Sequence, residues 1–188
     1  MKSRSNKLVS MLLTAMFIGL GLVLPFLTGQ IQQIGSMLLP MHLPVMLCGL
    51  ICGWQYGLFA GLILPVMRSL IFTMPVLYPT AIAMSFELAT YGFVLGFLFA
   101  HAKWRCLKSL IRCLAISMVT GRVVWGLAMF ILVGFSADNF GVYAFLLGAF
   151  INAMPGILLQ FLLIPSIMLL LDKTHIRKLN HSRKENYE

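Results

Sequence analysis

The stretch from Leu8 to Leu27 is twenty residues long and holds no ionisable side chain. Coiled at ~1.5 Å per residue it measures ~30 Å, the thickness of the hydrocarbon core of a bilayer. A second apolar tract, 37–74, would exceed 50 Å as one helix, about 1.5 Å for each residue. "GWQYG" at 53–57 breaks it into two shorter spans, 37–52 and 57–73. Further spans are expected over 81–100, 109–133 and 142–171, the last with kinks at Pro155 and Pro165. Between the first two lies "TGQIQQIGSMLLPMH", an uncharged loop punctuated by Gly29, Gly35 and Pro40.

Composition agrees. Hydrophobic residues make up 60% of the 188 and charged residues only 10%, against roughly 45–50% and about 25% in soluble domains. The expectation is an all-α membrane protein: one compact bundle of six transmembrane helices forming a single domain over 1–188, with a basic tail at 172–188. The basic start "MKSRSNK" resembles that of a signal peptide. The apolar run after it has spanning length and no small-residue cleavage site, so it reads as a retained first helix.

The net charge of +9 does not point to nucleic acid, because the basic residues sit in short tracts beside apolar runs. Lys2, Arg4 and Lys7 precede the first span. Lys103, Arg105, Lys108 and Arg112 separate the fourth from the fifth, and Lys173, Arg177, Lys178, Arg183 and Lys184 follow the sixth. With six spans these twelve of the fourteen basic residues fall on one side, which the positive-inside rule makes cytoplasmic. Both termini are then expected inside the cell, in a multi-pass protein of the plasma membrane.

The other two arginines lie within spans, as does one carboxylate. Glu87, in "AMSFELATYG", has no charged neighbour in sequence nearer than Arg68 and Lys103. The orientation puts Arg68 and Glu87 in the outer half, Arg122 near mid-depth with Trp125 further out, and Asn152 in the outer third above Gln160. His42 sits near the outer end of the second span. A charge at the centre of a lipid-facing helix costs about 2.5–3.5 kcal/mol, so these groups are expected to face a common interior. Helical spacing agrees: Thr80, Glu87 and Tyr91 share a face, as do Arg122, Trp125 and Met129, and Gly148, Asn152, Gly156 and Gln160 form a stripe. Two arginines against one carboxylate leave a positive charge for an anionic ligand.

Each residue has a plainer role open to it. Glu87 either pairs with an arginine or receives ligand hydroxyls; Arg68 either lines the site or snorkels to the interface. Trp125 can anchor at the interface, Asn152 can bond a neighbouring helix, and His42, between Pro40 and Pro44, can cap a helix or line the mouth. The four cysteines, Cys48, Cys52, Cys106 and Cys113, form no CxxC pair and read as reduced packing thiols. No GxxxxGK[ST], HExxH or GxSxG occurs, which argues against a P-loop ATPase and against a membrane hydrolase. No cofactor or metal is called for.

"LLPMHLPVMLCGLICGWQYGLFAGLILPVMRSLIF", "PTAIAMSFELATYG", "GRVVWG" and "GAFINAMPGILLQ" resemble, in order and spacing, the substrate-binding S components of energy-coupling factor (ECF) vitamin transporters. The resemblance runs from about residue 8 to 171 and is greatest to the pantothenate-type members. It implies a vitamin site in the outer half of the bundle, covered by the loops after the first, third and fifth spans. The implied substrate-binding residues are Arg122, Trp125, Glu87, Asn152, Arg68, Tyr91 and His42. It also implies a subunit without ATPase activity that docks on a transmembrane coupling subunit carried by two ATP-binding subunits, toppling in the membrane to release the vitamin inward. The family's alanine-x-x-x-alanine docking motif is matched loosely by "MLLTA" and "AMFIG", which assigns docking to Ala15 and Gly19. Packing of the first helix within the bundle is the alternative for those two. A different vitamin, such as folate or pyridoxine, fits the same resemblance. A self-sufficient proton-coupled secondary transporter with Glu87 as its proton site is the rival function, disfavoured by the lack of inverted repeats.

Overall fold

The structure is a computed structural model that describes residues 2–28, 40–102, 106–133 and 154–173. Every regular element among them is helical. Helix α1, Lys2–Val23, tightens into a 3-10 turn at Leu24–Thr28, around Pro25. Then come α2, His42–Ile51, and α3, Trp54–Phe72. After an irregular turn at Leu77–Ala81 follow α4, Ile82–His101, and α5, Leu107–Val133. The last is α6, Met154–Lys173. Among the described residues, four stretches are long and apolar enough to cross a membrane: Lys7–Phe26, Trp54–Phe72, Leu77–His101 and Leu107–Leu132. The apolar helices His42–Ile51 and Pro155–Leu171 are shorter.

The break between α2 and α3 is sharp because Gly53 takes φ +113°, ψ 162°, backbone that a Cβ would oppose. The Cys52 N–H still closes on the Cys48 carbonyl at 2.8 Å, and the Gly57 N–H already reaches the Gly53 carbonyl at 3.0 Å. One residue therefore makes the whole turn, and α3 begins at Trp54 rather than at 57. The 142–153 part of the expected sixth span lies outside the described residues, and Pro155 is the second residue of α6 as described. Before α4 the peptides Met74–Pro75 and Tyr78–Pro79 are cis. The Tyr78 hydroxyl donates to the Leu132 carbonyl, tying this connection to the far end of α5.

Helix α4 is central, packing on α2, α3 and α5, while α1 lies on α2 and α3, and α6 on α5 and α2. Lipid tails are as apolar as leucine, so helices in a bilayer associate through close backbone contact and polar pairing. Here glycines supply the closeness. A Cβ on Gly57 of α3 would fall 2.6 Å from Gly49 Cα of α2 and 2.9 Å from the Gly92 carbonyl oxygen of α4; one on Gly96 would fall 2.6 Å from the Gly49 carbonyl oxygen. Three backbones meet with no side chain between them. The packed interior also holds Met46, Leu50, Leu95, Leu114, Ile164 and Met168. Facing outward are Leu12, Leu70, Ile131, Leu158 and Leu162, each about two-thirds exposed or more, a surface suited to lipid and not to water.

Replacing Gly92 with Ala should therefore destabilise the protein by about 3 kcal/mol, the upper range for overpacking, because the obstacle is backbone. Thermal unfolding in detergent measures this. Gly19→Ala is the control and should leave the melting temperature unchanged, since nothing lies within 4 Å of a Cβ there.

Candidate functional site

Midway along the polar face of α4, Glu87 and Tyr91 stand one turn apart, and the Tyr91 hydroxyl donates to Glu87 Oε1 at 2.8 Å. Arg122 of α5 brings Nη1 to the same oxygen at 3.0 Å, and His42, at the start of α2, holds Nε2 3.7 Å from it. The His42 and Tyr91 rings lie 5.3 Å apart at 53°. The Tyr91 ring also rests against Gly121, where an added Cβ would come within 2.6 Å of its Cδ1. Glu87 and His42 are 1% exposed, Tyr91 2% and Arg122 5%. One carboxylate oxygen thus draws together three helices, and each charge at this depth is matched by an opposite one, as burial demands.

The match is incomplete, and that incompleteness gives the cluster its chemical capacity. Both ring nitrogens of His42, and Nε and Nη2 of Arg122, are buried without a hydrogen-bond partner, as is Nε2 of Gln160 on α6. A buried donor left unpaired costs about 1–3 kcal/mol, and more when charged. Such donors suit the oxygens of a small polar molecule. Among the described residues no three His, Cys, Asp or Glu side chains gather as a metal ion would need.

The residues singled out from the sequence divide. Glu87, Tyr91, Arg122 and His42 come together, with Trp125 half-buried on α5 one turn beyond Arg122. Arg68 goes elsewhere. It is buried, donates from Nη1 to the Leu22 carbonyl at 3.2 Å, and lies 5.7 Å over the Phe72 ring, which meets Phe26 edge-on at 4.9 Å. Its charge thus serves the last turn of α1, where carbonyl dipoles favour a cation. Of the two arginines, Arg122 is the one paired with Glu87. Asn152 lies outside the described residues.

Ala15 and Gly19 face outward on α1, with the exposed Met11, Leu12, Met16 and Leu20, while Thr14, Phe17 and Gly21 face inward. Sequence reasoning overlooked Gly121, whose role depends on a neighbouring ring, and underused Gln160. It also passed over the small-xxx-small pairs Gly57/Gly61 and Gly92/Gly96, although that signal was present.

The family model of the ECF transporter substrate-specific component matches residues 9–168. The chain belongs to this family. Comparisons with curated proteins and with solved structures found no match. As an S component the protein is a multi-pass membrane subunit that binds a vitamin-type small molecule for an ECF transporter.

Within this S component, Glu87→Leu should cost about 3–5 kcal/mol of stability, because it strands Arg122 without a countercharge. Adding Arg122→Leu should restore most of the loss. Melting temperatures of the two variants against wild type provide the check.

Proposed function

We propose that this S component captures pantothenate at the Glu87–Arg122 cluster, in the outer half of the bundle, with both termini cytoplasmic in the plasma membrane. The observation that carries the reading is the unspent hydrogen-bonding capacity of Arg122, a buried guanidinium whose charge is balanced by Glu87 and two of whose nitrogens have no acceptor. Pantothenate is a small carboxylate with hydroxyls and an amide. Its carboxylate takes the free nitrogens of Arg122, while the His42 ring is a donor for its other oxygens. Glu87 acts as countercharge to Arg122, Tyr91 supports Glu87, and Trp125 offers an apolar wall. Asn152 joins on the sequence pattern alone, and Arg68 is assigned to holding α1 and not to the ligand.

Transport in this reading needs a coupling subunit and two ATP-binding subunits. The surface offered to them is the outward face of α1 at Ala15 and Gly19, where the open space before Gly19 allows another helix to approach closely. The positive-inside distribution of the basic residues supports the orientation.

Calorimetry or native mass spectrometry on purified protein should detect pantothenate binding, with folate and pyridoxine as competitors. Arg122→Gln should weaken it at least tenfold, if a charged hydrogen bond of roughly 1.5–3 kcal/mol is lost. Unchanged affinity would take Arg122 out of the site, and preference for a competitor would reassign the vitamin. Separately, Ala15→Leu should abolish co-purification with the coupling subunit while vitamin binding by the isolated S component persists.

A further inference from the structure

An arginine and a carboxylate left to themselves favour the two-pronged arrangement, two parallel N–H···O bonds between fork and fork. The buried pair here does not adopt it. Arg122 meets Glu87 through Nη1 alone, at 3.0 Å, while Nε and Nη2 are bare. These are the two nitrogens whose N–H bonds run parallel off one side of the guanidinium, so the unused edge is the one that fits both oxygens of a carboxylate.

Glu87 is itself restrained. Its Oε1 is shared, accepting from Tyr91 at 2.8 Å as well as from Arg122. Swinging the carboxylate onto the Nε/Nη2 edge would draw Oε1 away from that hydroxyl. Tyr91 has little freedom to follow. Its ring lies 5.3 Å from that of His42 and close against the backbone at Gly121, the residue immediately before Arg122. It also lies one turn from Glu87 on the same helix, a spacing that keeps the two side chains on one face.

We infer that Tyr91 is a positioning residue whose hydroxyl holds Glu87 in one-pronged contact with Arg122 and so keeps the side-on edge of Arg122 open for the ligand's carboxylate. Without the hydroxyl, Glu87 closes on that edge and competes with the ligand from inside the site. The geometry then selects planar two-oxygen anions over amides, which offer one oxygen to the same fork. This rests on the reading above that the cluster receives the vitamin's carboxylate.

The experiment uses full-length protein in detergent, labelled with nitrogen-15, with the Arg122 Nε–H resonance assigned by its loss in Arg122→Lys. In ligand-free Tyr91→Phe that resonance should move downfield, as a hydrogen bond to Glu87 forms. Pantothenate affinity should fall roughly tenfold, the size expected for a charged hydrogen bond, and the melting temperature should not fall. In the double variant Tyr91→Phe with Glu87→Gln the resonance should return toward its wild-type position, because an amide competes poorly for the fork, while the lost countercharge lowers the melting temperature. An unmoved resonance in Tyr91→Phe, or one that stays downfield in the double variant, overturns the inference. A wild-type protein that ignores pantothenate overturns the vitamin assignment instead, and the ligand-free resonance still decides the role of Tyr91.

Discussion

Inside a bilayer an apolar side chain gains little by leaving lipid for another apolar side chain, so a bundle is held by what lipid does not supply. In this S component both such forces act on α4. One side of that helix carries Gly92 and Gly96, where the backbones of α2 and α3 come into direct contact. Glu87 and Tyr91 sit about 140° around the helix, at about 100° per residue, and gather α5 and the start of α2 through one carboxylate oxygen. Each side supports the other. Glycine contact fixes how far α2 and α3 stand from α4, which sets where His42 can lie. The ion pair in turn sets the register of α5, and with it the place of Gly121 against the Tyr91 ring.

The two intramembrane arginines show how differently a buried cation can be accommodated. Arg68 finds a carbonyl at the end of α1 and an aromatic face, and closes the α1–α3 corner. Arg122 finds the carboxylate but uses one nitrogen on it. The first arrangement spends the charge on the fold. The second leaves donors over, and unspent donors at such depth are expensive unless something else accepts from them. That asymmetry is why the binding reading attaches to α5 and not to α3.

Much of this was legible in the sequence because a membrane is a severe solvent. Leu8–Leu27 has to be helical for want of water, and Gly53 marks the break between α2 and α3. Glu87 and Arg122 have to turn inward because of what charge costs in lipid. What could not be read was the choice of partner. Nothing in a pattern of side chains says that Arg68 will bond the backbone of Leu22, since every residue carries a carbonyl. Gly121 looked like one glycine among sixteen; only the packed Tyr91 ring shows what it makes room for. The glycine pairs on α3 and α4 are readable by their spacing, but spacing alone does not say which neighbouring backbone each one meets.

The placement of α2 joins the two halves of the functional argument. This helix is ten residues long, ~15 Å from end to end, and His42 at its start faces Glu87. Six residues further on, ~9 Å along the helix, the Cys48 thiol donates to Thr14 Oγ1 of α1 at 3.6 Å, while Thr14 itself bonds back to the Ser10 carbonyl. Thr14 precedes Ala15, which lies about 100° further round the helix and is exposed on the outside of the bundle. The inward and outward faces of α1 are therefore one residue apart, and the inward one rests on the same short helix that reaches the carboxylate cluster.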